Sequence, residues 1–164
     1  GYRPVGSATA LDLSHYNNGL HKPIKYIIHT PTVVAPCNPL YERSRPVQTG
    51  YEPVFNAIWN ALVHAPNDVE TIIIPGLCTG YVGVPPRISC KSMIFGLKLF
   101  LLGDRVSNEL KNVLIMCFLG YPFGPFLPEA CIEEGESLGL HMKDSINFNV
   151  QADSIDCLLP FTRQ

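Results

Sequence analysis

The stretch from Pro75 to Pro86 reads PGLCTGYVGVPP and places glycines at positions 76, 80 and 83 directly after an apolar run and just before a helical pattern. Glycine lets backbone N–H groups approach a ligand closely, and several such donors near a helix N-terminus favour an anion such as phosphate. The Thr79 hydroxyl is a further candidate donor. A tight strand-to-helix turn needs glycine in any α/β protein, so the loop alone leaves a purely structural role open beside the phosphate-binding one.

Three sharper chemistries can be tested on the same residues. A P-loop requires Gly immediately before Lys-Ser/Thr, but Lys91-Ser92 follows Cys90 inside a helical segment. A cysteine phosphatase needs Arg six residues after its nucleophile, and six after Cys78 stands Val84. Gly76-Leu77-Cys78-Thr79-Gly80 does match the Gly-x-nucleophile-x-Gly elbow with Cys in place of Ser. That makes Cys78 a candidate reactive thiol, its pKa lowered by surrounding N–H donors. An elbow turns straight from nucleophile into helix, however, whereas Tyr81 to Pro86 intervene here and two consecutive prolines delay the helix to about Arg87. The longer loop fits anion cradling better.

The remaining ionisable residues read as structural. His15 and His21 lie in a polar, Asn-rich stretch, and His64 falls near a helix end, where an imidazole complements the dipole. His29 is expected as a hydrogen-bonded core residue within a strand, and His141 has no assigned role. Asp12 follows the first polar segment, and Glu52 opens a helix. No pair of carboxylates has metal or glycosidase spacing and no Cys-x-x-Cys occurs, so neither a metal nor a cofactor is expected.

These residues must be positioned by a framework of strands and helices. Lys25 to Val34 is a short, nearly continuous apolar run between prolines, expected as a central strand buried on both faces. Ala35 to Gly50 is polar and proline-rich, expected as an exposed loop. Val54, Phe55, Ile58, Trp59, Leu62 and Val63 recur at helical spacing within Glu52 to Ala65, with Pro53 in the first turn and Pro66 beyond the end. Val69 to Ile74 is a second buried strand, and Ile88 to Leu102 a second helix, with Gly103 at the C′ position. Asn112 to Leu119 is a third apolar strand, YPFGPFLP a corner, and Glu129 to Leu138 a short helix. Ser145 to Leu159 alternates without a clear assignment. Strands alternating with helices predict a three-layer α/β/α sandwich on a mixed, mostly parallel sheet.

The 164 residues, 46% hydrophobic, suffice for one domain with a sizeable core. Only 16% are charged, and the net charge of −2 carries no block of like charge, which argues against nucleic acid or a membrane as partner. The longest apolar stretches are interrupted by Lys98 and by Gly120, Pro122, Gly124 and Pro125, and neither is expected to span a bilayer. The first residues do not read as a signal peptide. The six cysteines are widely and irregularly spaced, several within apolar runs, as suits a reducing cytosolic or nuclear setting.

The segments YIIH, PTVVAP, TGYEPVFNA, IIPGLCTGY, GVPP, ISCKSM and ELKNVLIM together resemble the macro-domain family, from about Gly6 to Glu129. They are most similar to fungal macro-domain-like proteins assigned as ADP-ribose 1″-phosphate phosphatases. The resemblance implies that Gly76, Leu77, Cys78, Thr79, Gly80, Tyr81, Val82 and Gly83 wrap the diphosphate and distal ribose of ADP-ribose, with Tyr81 beside that ribose. It places Phe118 and Tyr121 on the adenine side, although Phe118 suits a core role equally. Ligands implied are ADP-ribose, ADP-ribose 1″-phosphate or, for a non-catalytic reader, mono-ADP-ribosylated protein. The family's other ligand loop, an Asn followed by a Gly-rich stretch and an acidic residue, does not occur here. Together with the start lacking Met, this is read as a chain covering the C-terminal two thirds of one domain over 1–164, its N-terminal strands missing and 139–164 an extension.

Overall fold

A computed structural model describes residues 3–16, 24–33, 41–103, 110 and 112–115, and the backbone of 116–117 and 157–162. Strand β1 (Thr9–Asp12) pairs antiparallel with β2 (Tyr26–His29), Thr9 opposite His29 and Asp12 opposite Tyr26. A π-helical turn (Val47–Tyr51) runs directly into α1 (Glu52–Val63). Strand β3 (Thr71–Pro75), helix α2 (Pro86–Leu102) and strand β4 (Asn112–Cys117) follow, with β3 and β4 parallel, Ile72 opposite Val113 and Ile74 opposite Ile115. Strand β5 (Cys157–Thr162) closes the order β3-β4-β5, antiparallel to β4.

The core follows from the two periodicities. Val54, Ala57, Ile58 and Leu62 form the buried stripe of α1, and Cys90, Met93, Ile94, Leu97 and Phe100 that of α2. Alternation along β3 turns Ile72 and Ile74 into this cluster, where Val113 and Ile115 of β4 join them. The helices meet most closely at Gly96, where an added Cβ would lie 2.7 Å from the Ile58 methyl. Phe55 stacks on Trp59 and tilts against Phe95, while Trp59 meets Phe100 edge-on.

Several expectations need correction. β3 is covered on one face: Ile73 points away from the helices and is 55% exposed. β2 alternates half-buried with exposed and belongs to a separate two-stranded sheet, so His29 is exposed and not a core residue. Its β-branched residues signalled a strand, but that composition does not fix what covers it. β1 was not anticipated, being four residues long and at most half-buried. Among the described residues one of three strand pairings is parallel, so the β3-β4-β5 sheet is mixed and not mostly parallel, and β3–α2–β4 is the parallel unit that carries the loop.

The proline-rich stretch expected as an exposed loop ends in the π turn, with Thr49 and Gly50 buried. Helix α2 begins at Pro86 instead of after it, because the ring's fixed φ suits the first helical position. Gly103 caps α2 in an extended conformation, φ −87°, and not as a left-handed C′ residue. The corner at YPFGPFLP and the helix expected over Glu129 to Leu138 lie outside the described residues. Cys157 to Leu159, left unassigned by the sequence, form the first half of β5. No helix of the described residues is long and apolar enough to cross a membrane.

Candidate functional site

Residues 76–83 connect the end of β3 to Pro85, just before α2, and the loop is shaped by four carbonyls. That of Gly76 accepts from the Thr79 hydroxyl at 2.9 Å, and that of Leu77 from the Ser89 hydroxyl at 2.6 Å. The Cys78 carbonyl accepts from the Val84 N–H at 3.0 Å, and the Gly80 carbonyl from the Gly83 N–H at 2.9 Å. In a planar trans peptide the N–H points opposite to the carbonyl it follows. The N–H groups of Leu77, Cys78, Thr79 and Tyr81 therefore point away from the groups that hold those carbonyls. Among the described residues, no acceptor is bonded to the N–H groups of residues 78 to 82. Successive N–H groups without a backbone acceptor are what an anion-binding nest is built from.

The backbone bends sharply to do this. Gly83 adopts φ 75°, open to glycine, and Cys78 adopts φ 60°, which costs a residue with a Cβ about 1–2 kcal/mol. Leu77 and Val82 pack against the core beside Val84, anchoring both limbs, while Gly80 and Tyr81 stand out, Tyr81 69% exposed. The expectation of donors from the helix end is revised. The first turn of α2 starts with Pro86, which has no N–H, and the N–H groups of Ile88 and Ser89 both go to the Pro85 carbonyl. The N–H groups turned away from the bonded carbonyls belong to the loop.

The surroundings of Cys78 work against the activated thiol that the elbow pattern suggested. Burial pushes its thiol above the ordinary value, and the Thr32 hydroxyl only partly opposes that. The left-handed backbone is a feature an elbow shares, but the helix begins eight residues after the sulfur, at Pro86.

Two further segments border the loop, and the sequence reading passed over both. Thr32, just beyond β2, reaches Cys78. The Tyr41 N–H donates to the Val82 carbonyl at 3.4 Å, and the Tyr41 side chain packs on the core. Behind the loop, Ser89 and Ser92 are buried on the apolar stripe of α2 and reach the carbonyls of Leu77 and Tyr51, both at 2.6 Å. A small polar residue on a buried stripe must find a partner, and that was the available signal for both serines.

Of the other candidates, none among the described residues is bonded to the loop. His64 ends α1 with Nδ1 2.9 Å from the Asn60 carbonyl oxygen, and His15 is exposed. Asp12 accepts from the Ser14 N–H at 2.8 Å, which holds its carboxyl below the usual value, and Glu52 is exposed in the first turn of α1. His21, His141, Phe118 and Tyr121 lie outside the described residues. No group of three or more His, Cys, Asp or Glu among the described residues is placed to hold a metal ion.

A strand-loop-helix unit, β3 to α2, thus carries a loop whose bonded carbonyls turn several N–H groups the other way. A family model described as Macro-like domain matches residues 1–163, and the chain belongs to that family, whose members generally bind or process ADP-ribose.

Proposed function

We propose that residues 76–83 bind the diphosphate and distal ribose of an ADP-ribose-type ligand. The observation that carries this reading is the set of inward-held carbonyls at Gly76, Leu77, Cys78 and Gly80, which leaves a run of N–H groups directed the other way. Neutral backbone donors suit a diphosphate in a protein with so few charged side chains. Exposed Tyr81 supplies a flat surface for the ribose.

The finer reading is hydrolysis of ADP-ribose 1″-phosphate. Water attacks phosphorus, the bond from phosphorus to the 1″ oxygen breaks, and that oxygen takes a proton, yielding ADP-ribose and inorganic phosphate. The loop's part is to orient the phosphate and stabilise its charge. The alternative is a reader of ADP-ribose or mono-ADP-ribosylated protein. It is favoured by one observation: residues 76–83 include no carboxylate or imidazole, and burial pushes the pKa of their one thiol up. A Cys78-dependent hydrolase has the least support. Free thiols at Cys78 and Cys90 suit a reducing cytosolic or nuclear compartment.

The test is isothermal titration of ADP-ribose into the chain and into Gly80→Glu, which sets a carboxylate beside the exposed loop backbone. Binding lost in the variant supports the reading. A folded wild-type chain that takes up no ADP-ribose refutes it. Phosphate release from ADP-ribose 1″-phosphate then separates enzyme from reader, and Cys78→Ser identifies a thiol-dependent reaction.

A further inference from the structure

The peptide joining Val82 to Gly83 is held from both sides. Its N–H donates to the Gly80 carbonyl at 2.9 Å, inside the loop, and its carbonyl accepts from Tyr41 at 3.4 Å, outside it. Tyr41 is itself fixed by a compact hydrogen-bonded turn. The next N–H along the chain, that of Glu42, donates to the Thr49 hydroxyl at 2.8 Å, and that hydroxyl donates to the Arg45 carbonyl at 2.7 Å. The Thr49 N–H reaches the same carbonyl at 3.1 Å. Thr49 is only 6% exposed, while Glu42 and Arg45 close the turn on the outside with an exposed ion pair.

The neighbouring glycine completes the arrangement. A Cβ on Gly50 would lie 3.0 Å from the Tyr41 ring and 3.1 Å from the Ile88 methyl, so the ring rests directly on the backbone of the π turn. π turns recur at functional sites, where the extra residue redirects a side chain. Here the π turn (Val47–Tyr51) places the Thr49 hydroxyl where one oxygen both accepts from and donates to the backbone.

We propose that Thr49 is a positioning residue for the ligand loop, a strut that acts through Tyr41 to hold the limb carrying Gly80, Tyr81 and Val82. This deepens the function proposed above and rests on it. Thr49 touches no ligand; it fixes how far the outer limb stands from the Cys78 limb, and so the spacing of the donors on either side of the diphosphate.

Thr49→Val keeps the shape and removes the hydroxyl, whereas Thr49→Ser keeps the hydroxyl. The expected result for Thr49→Val is about a tenfold loss of ADP-ribose affinity, the size of one buried hydrogen bond. Amide exchange in the ligand-free chain should be faster at Tyr41 and Gly83 and unchanged at Ile94 and Leu97 in the middle of α2. Thr49→Ser should restore both readouts. Should Thr49→Val fail to fold, Gly50→Ala, which pushes on the Tyr41 ring, should give the same local pattern. Unchanged exchange at Tyr41 and Gly83 overturns the proposal, as does exchange raised uniformly through α2 or a serine variant that behaves like valine. Faster local exchange with unchanged affinity also overturns it. If the wild-type chain binds no ADP-ribose, the functional reading fails, and the exchange pattern still decides whether the strut exists.

Discussion

The Ser89 hydroxyl lies 2.6 Å from the Leu77 carbonyl oxygen and joins the first turn of α2 to the loop twelve residues earlier in the chain. Ser89 is fully buried, so no solvent replaces this donor when it is removed. Ser89→Ala leaves a carbonyl without its partner, at a cost of about 1–3 kcal/mol. It also frees the 77–78 peptide to rotate, which lets the Cys78 N–H leave the donor set. The expected outcome is a lower urea midpoint together with weaker ADP-ribose binding, measured by denaturation and titration on one preparation. A lower midpoint with unchanged affinity would separate this bond from the site.

The Cys78 thiol offers a prediction in pH. Burial raises its pKa above the ordinary 9.0, so the folded chain favours the protonated form more than the unfolded chain does. The sign follows: the stabilisation associated with the neutral thiol is fully present below about 9 and is lost as pH rises through the higher folded value. Stability should therefore fall on the alkaline side more steeply in the wild type than in Cys78→Ala. Alkylation by iodoacetamide should rise through a midpoint above 9.0. A midpoint below 8, checked by mass spectrometry of the alkylated peptide, would revive the reactive-thiol reading.

How much of this was legible in the sequence depends on the range over which each feature is determined. The buried stripes of α1 and α2 and the strand before the glycine loop follow from local periodicity, and they appear where the residues put them. So does the loop, because glycines between a strand and a proline-opened helix leave few alternatives. The cover over β2 was not legible: Tyr26 to His29 has the composition of a buried strand, yet its exposure depends on what packs against it. The struts at Thr32, Tyr41 and Thr49 were hidden for a related reason. Thr32 and Tyr41 meet residues 46 and 41 positions away, which no local pattern encodes, and the bonds of Thr49 depend on a π turn that its sequence does not announce. Cys78 misled for a physical reason, since N–H groups near a thiol lower its pKa only when they point at it, and here burial dominates.

Gly96 tests the packing that carries the loop. Alanine is the better helix former by about 1 kcal/mol, which on propensity alone would stabilise α2. An added Cβ, however, would lie 2.7 Å from a methyl of Ile58, itself fully buried and β-branched, with Phe55 at 3.3 Å. Neither neighbour can swing away cheaply, and overpacking of this kind costs about 1–3 kcal/mol. Gly96→Ala should therefore be net destabilising, by about 1 kcal/mol in urea unfolding. A gain in stability would show that the helices separate freely at this point.

Gly80 and Gly83 should respond differently although both lie in the loop. Gly83 has φ 75°, where a Cβ costs about 1–2 kcal/mol, while Gly80 is not in the left-handed region. Gly83→Ala should lower stability and affinity together, and Gly83→Asn should recover part of both, because asparagine tolerates that conformation. Gly80→Ala should leave the unfolding midpoint nearly unchanged and still weaken ADP-ribose binding, because its methyl group occupies space beside the exposed backbone that the diphosphate must approach. Titration and urea unfolding of the three variants decide the matter. Equal losses of stability at both positions would mean that the glycines serve only the turn, whereas affinity lost at Gly80 without stability lost assigns that glycine to the ligand.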